Sequence, residues 1–157
     1  MKKMLQCNIP LLTPIGKVMV PIQITYEDNE DITDPKSEIN LLYDGVEYSG
    51  SGSDHLWTDT FADLQMKLPK DVKIACCMTC QHGNMCPYGN KENELVCTKG
   101  LIITSKEDMC NLFDQTDPFE ERAVASLDGC DAFIYQNEEY YTYNDYLDQL
   151  RKKGKNS

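Results

Sequence analysis

Four of the chain's eight cysteines fall within the eleven residues CCMTCQHGNMC, from Cys76 to Cys86, and Cys97 follows after another eleven. The Cys77-x2-Cys80 spacing lets two thiolates from one tight turn converge on a single ion, while the amides of the turn donate to the sulfurs. Four thiolates at ~2.3 Å around zinc make a closed tetrahedral structural site. Gly83 eases the chain reversal that follows, and Cys97 returns beside the turn if the strands flanking this loop pair. The expected zinc ligands are therefore Cys77, Cys80, Cys86 and Cys97, with Cys76 or His82 as alternates for Cys86. Because Cys76 and Cys77 are neighbours, an extended backbone points them to opposite faces, and only one of them serves easily.

Three other chemistries compete with zinc. The thiols can stay reduced and uncoordinated. An iron–sulfur cluster also takes four cysteines, but the close triplets of ferredoxin-like sites are missing. A redox pair places C-x2-C after a strand and at a helix N-terminus, whereas QHGNMCPYGN reads as loop. Cys7, Cys110 and Cys130 have no local partners and read as buried core thiols. With two histidines in the chain, His82 has little material for a nucleophile–base pair. No nucleophile elbow, zinc-protease helix, phosphate loop or dinucleotide fingerprint is present. Carboxylates are too numerous for any one pair to stand out.

The 157 residues carry 15 basic and 26 acidic side chains, a formal charge of −11. That sign works against binding a phosphate backbone, which needs clustered Lys and Arg, and the basic run Arg151–Lys155 is the one such cluster. It fits a solubility device, a basic protein partner or a nucleic-acid mimic, and the basic protein partner is the one expected. At 41% hydrophobic and 26% charged the composition is globular. Gln6, Asn8, Pro10, Thr13, Pro14 and Lys17 interrupt any signal-like apolar run, and no stretch approaches the ~20 apolar residues of a membrane span. A cytosolic location is expected, where thiols stay reduced.

The elements that must position the cysteines follow from pattern. One domain is expected over residues 1–157, of α+β class: a mainly antiparallel sheet, two or three helices and the zinc-bound loop. Residues 1–52 read as β, with KVMVPIQITYED alternating and Asp44-Gly45 supplying a hairpin turn. The acidic run Glu27–Glu38 reads as a solvated loop. Over 53–69 the residues Trp57, Phe61, Leu64 and Leu68 make a helical stripe, capped by Ser53 or Asp54 and ended by Pro69, with His55 in a structural role. Residues 72–103 read as strand, cysteine loop and a second strand, ELVCTKGLIIT. Over 104–150 a helix capped by Thr104 and Glu107 leads to a hairpin at Asp128-Gly129 and a final helix. That last helix presents Tyr143, Leu147 and Leu150 on one face, ahead of a basic tail over 151–157. Five of the nine tyrosines lie between Tyr135 and Tyr146 and read first as core packing, second as an interface.

From Trp57 onward, the Leu68-Pro69 helix end, the Cys77–Cys80 turn, the PYGN stretch from Pro87 to Asn90 and Cys97 resemble a family of uncharacterised bacterial cytosolic proteins. The likeness covers about a third of the chain. It implies a bacterial origin and a structural role for the turn, and no reaction. It also implies variation at the Cys86 position, which keeps His82 and Cys76 in play. The expected function is a non-catalytic acidic binding protein, inhibitor- or immunity-like, with a thiol-based redox or cysteine-dependent enzyme at Cys77–Cys80 as the alternative.

Overall fold

A computed structural model describes residues 2–27, 36–54, 56–90 and 93–155. His55 and most of the acidic run Glu27–Glu38 lie outside the described residues. The chain divides into two compact units, Met1–Ile74 with Asp145–Ser157, and Ala75–Asn144.

Two tight turns organise the first unit. Asp44 and Gly45 adopt φ of 52° and 75°, the left-handed pair that suits a two-residue hairpin between twisted strands. They join β3 (Ser37–Tyr43) to β4 (Val46–Gly52), as the sequence leads one to expect. Pro14 and Ile15 close a longer hairpin, β1 (Lys2–Thr13) with β2 (Gly16–Glu27), paired from Lys2↔Glu27 to Thr13↔Gly16. With the two-residue β5 (Lys73–Ile74), the antiparallel order is β4-β3-β2-β1-β5. The α+β class stands.

Alternation buries one face of this sheet: Val20, Ile22 and Ile24 on β2, Ile39 and Leu41 on β3. Helix α1 (Thr58–Lys67) lies so close over β4 that a Cβ on Gly50 would come within 2.6 Å of the Leu64 amide. The whole expected stripe, Trp57, Phe61, Leu64 and Leu68, is buried. The start of the helix differs from expectation. Trp57 holds the N-cap position at φ 68° with no side-chain cap, its ring set edge-on to Tyr26 at 5.2 Å. Asp54 instead accepts from the Leu56 amide at 2.9 Å and from the Thr58 hydroxyl. Gln65 reaches from α1 to β5, donating to Val72 O at 2.8 Å and accepting from Ile74 N at 2.9 Å. That latch fixes the strand which delivers the chain to Cys76. The C-terminal helix, Tyr146–Lys155, packs on α1 and buries Tyr146, while Tyr143 precedes it.

The second unit holds little regular structure. A single 3₁₀ turn at Cys77–Thr79 leads to β6 (Gly83–Asn84), which pairs with β7 (Leu95–Cys97), and β7 pairs with β8 (Ala123–Val124). Helices α2 (Lys106–Gln115) and α3 (Pro118–Arg122) lie between β7 and β8 in sequence. The α2 cap sits one residue later than Thr104: Ser105 accepts from the Asp108 amide at 3.2 Å, and Asp108 reaches back to Thr104 N at 2.8 Å. Two expected elements are corrected. The strand through Leu101–Thr104 ends at Cys97, because a turn bonds Leu101 N to Thr98 O with Gly100 at φ 86°. The Asp128-Gly129 hairpin does not form: the turn is Ala125–Asp128, and the Asp128 carbonyl is taken by the Cys77 amide.

Candidate functional site

The cysteine turn is held from two sides by backbone. On one side Gly83 pairs with Cys97, and Thr98 N donates to His82 O at 3.0 Å. A Cβ on Gly83 would overlap the Cys77 carbonyl oxygen, so the returning strand lies directly against the turn and only glycine fits. On the other side Cys77 N donates to Asp128 O at 2.6 Å, Met78 N to Ser126 O at 2.9 Å and Gln81 N to Ile134 O at 2.7 Å. Cys80 forms a bridge with Tyr135. Asn144 closes the far end, donating to Met78 O at 2.8 Å and Gly83 O at 3.0 Å.

Of the expected ligands, Cys77, Cys80 and Cys97 share this neighbourhood. Cys86 does not. It lies two residues past the end of β6, beyond the pairing with β7. It belongs to a separate turn, where its amide bonds Asn90 Oδ1 at 2.5 Å and its sulfur accepts from Tyr88 N at 3.4 Å. Cys76 is fully buried and turned into the 3₁₀ turn, whose Met78 and Thr79 amides donate to it; burial still pushes its thiol up to about 12. Cys77 is raised by burial first, then by the charges of Cys76, Cys80, Asp128 and Cys130. Cys80 is raised by burial too, with Cys130 and Cys97 adding to it and the Ile134 and His82 amides opposing.

Cys130 lies on the segment that flanks the turn, between Asp128, whose carbonyl takes the Cys77 amide, and Ile134, whose carbonyl takes the Gln81 amide. Cys130 is exposed, and Cys7 and Cys110 are half-buried, so none of the three is a core residue. No disulfide joins the eight cysteines. Among the described residues, no three His, Cys, Asp or Glu side chains are gathered closely enough to hold a metal ion as they stand.

A cavity of about 340 Å³ adjoins the turn, lined by Gln81, His82, Leu101, Ile102, Tyr140 and Tyr141 among others. The turn at Gly100 throws Ile102 outward to 88% exposure, and Tyr140 is 58% exposed. The Gln81 side-chain carbonyl is buried, and the described residues supply it no donor. Burial, with Lys99 nearby, holds His82 below its ordinary value, which favours a neutral imidazole. Lys106, two residues after the lining Thr104, lies 5.8 Å over the Tyr143 ring. Sequence reasoning missed this cavity; GLII, an apolar run directly after a glycine, was its one trace.

No family model, curated protein or solved structure matches the chain. Among the described residues, no helix is long and apolar enough to cross a membrane.

Proposed function

We propose that this is a non-catalytic binding protein, inhibitor- or immunity-like, which takes a basic and partly apolar segment of a protein partner at the cavity beside the cysteine turn. One observation carries the reading: outward-facing Ile102 and Tyr140 border a cavity that also holds a buried acceptor, Gln81, lacking a donor among the described residues. Buried acceptors ordinarily find a donor, and a lysine or arginine of the partner would supply one. Charge points the same way. Residues 75–144 contain twelve acidic and four basic side chains, net −8, so most of the chain's −11 resides in the unit with the cavity. Such a field speeds encounter with a cationic partner. Eight cysteines without a disulfide suit a cytosolic setting. The alternative, a thiol-based enzyme at Cys77–Cys80, has less support, because burial raises both thiols and the turn leads into a strand, not a helix N-terminus.

The test is fluorescence anisotropy with a labelled peptide alternating lysine and leucine, beside an acidic peptide of equal apolar content. The expected result is binding of the basic peptide at ~0.02 M salt, weakening steeply towards ~0.5 M, and lost in Ile102→Glu and in Tyr140→Ser. Equal binding of both peptides, no binding of the basic one, or indifference to both substitutions would overturn the reading.

A further inference from the structure

We propose that Cys77, Cys80, Cys97 and Cys130 form a four-thiolate zinc site that fastens the 126–144 segment to the cysteine turn. The inference does not depend on the partner-binding reading. Cys130 lies 50 residues beyond Cys80 in sequence, yet the fold brings its segment alongside the turn. The Cys77 amide is bonded to Asp128 O, two residues before Cys130, and the Gln81 amide to Ile134 O, four residues after it. Between those two anchors the chain turns tightly, with Phe133 N donating to Cys130 O at 3.2 Å. On the opposite side Gly83, in contact with the Cys77 carbonyl, is the ladder partner of Cys97. The C-x2-C turn is thus flanked by one cysteine on each side, and all four come from separate positions on three converging segments.

The ligand chemistry follows from the donor set. Four cysteine sulfurs select zinc or an iron–sulfur centre, and zinc asks for no close cysteine triplet. The sulfur of Cys80 accepts from the His82 amide at 3.5 Å. Each thiol releases its proton to solvent on binding, so no oxidant or reductant enters. The sulfurs do not meet at one point; the backbone juxtaposition is in place, and the site calls for the cysteines to turn between staggered χ1 wells. The unit also has reason to need a staple. Its 70 residues have strands of two or three residues and few large buried apolar side chains, Met78, Leu95 and Met109 foremost. Small units of that kind are held by a metal or disulfides, and no disulfide is present. Cys86, occupied in its own turn, and Cys76, buried under the 3₁₀ turn, are left outside the site.

Cobalt(II) and zinc titration of the reduced full chain tests this. The expected result is one ion per chain, with the thiolate-to-cobalt charge-transfer and strong visible bands of a tetrahedral four-thiolate site. Cys86→Ser should leave stoichiometry and spectrum unchanged. Cys130→Ser should lose more affinity than the ~10–100-fold that removal of an outer partner costs a metal site. Since Cys130→Ser could fail by unfolding, cysteine alkylation of the wild-type chain with and without chelator gives a second reading by mass spectrometry. Chelation should unmask Cys77, Cys80, Cys97 and Cys130 together. No stoichiometric binding, loss in Cys86→Ser with retention in Cys130→Ser, or unmasking of a different set would overturn the assignment.

Discussion

At the scale of single residues, Gly83 and Cys130 mark the two sides on which the cysteine turn is enclosed. Gly83 has no room for a side chain because the Cys77 carbonyl lies where its Cβ would be. Gly83→Ala should therefore destabilise the second unit by about 1–3 kcal/mol. Native-state hydrogen exchange of amides in 75–144 is the right readout, since Trp57, the one tryptophan, belongs to the other unit. Gly89→Ala is the comparison: its φ of 125° is unfavourable for alanine, but nothing stands within 4 Å of a new Cβ. Asn144→Ala removes a donor from the Gly83 carbonyl and one of the two side-chain donors of the Met78 carbonyl, which keeps Gln136 Nε2 at 3.0 Å, and should cost about 1–3 kcal/mol in the same measurement. The C-x2-C turn and the return of Cys97 were legible because they depend on short-range spacing. Cys130 was not, because its place is set by the Cys77–Asp128 and Gln81–Ile134 hydrogen bonds, which link residues some fifty positions apart and leave no local pattern.

At the scale of elements, one dipeptide shows where local reading succeeds and where it stops. Asp44-Gly45 makes the expected hairpin, since both flanking strands are long enough to pair and have a core face to bury. Asp128-Gly129 has the same turn chemistry, but its carbonyl is claimed by Cys77 and no strands flank it. Helix α1 was legible from its apolar stripe, while the Trp57 cap at positive φ was not, because it reflects packing against Tyr26. Asp63 on α1 ties helix to sheet by accepting from Ser51 N at 2.9 Å and from Lys67 at 3.1 Å. Partial burial works to raise its carboxyl, but the Ser51 amide, Lys67 and Lys153 outweigh this and hold it below 3.8. Its contribution is therefore complete above the ordinary carboxylate value and is lost as pH falls through the lower folded value. Asp63→Asn should lower stability at neutral pH by about 1 kcal/mol. Thermal melts at neutral pH and at about pH 3 should show the gap between variant and wild type narrowing in acid.

At the scale of the whole molecule, charge is unevenly shared: net −8 over 75–144 leaves −3 for the rest of the chain. Length, composition and total charge were visible from the outset, but not this partition, which depends on where the fold divides. Eleven of the twelve acidic side chains of the second unit are among the described residues, and most of those line its helices and loops as exposed groups, Glu107, Asp114, Glu120 and Glu121 among them. If the unit is a docking platform for a cationic segment, the contact should be local. The most direct measurement is an amide NMR titration of the isotopically labelled full chain with the lysine–leucine peptide at low salt. The account predicts shifts concentrated on Gln81, His82, Thr98–Thr104, Tyr140 and Tyr141, fading as salt is raised. Shifts confined to the β-sheet of the first unit, or spread evenly over every acidic surface, would contradict it.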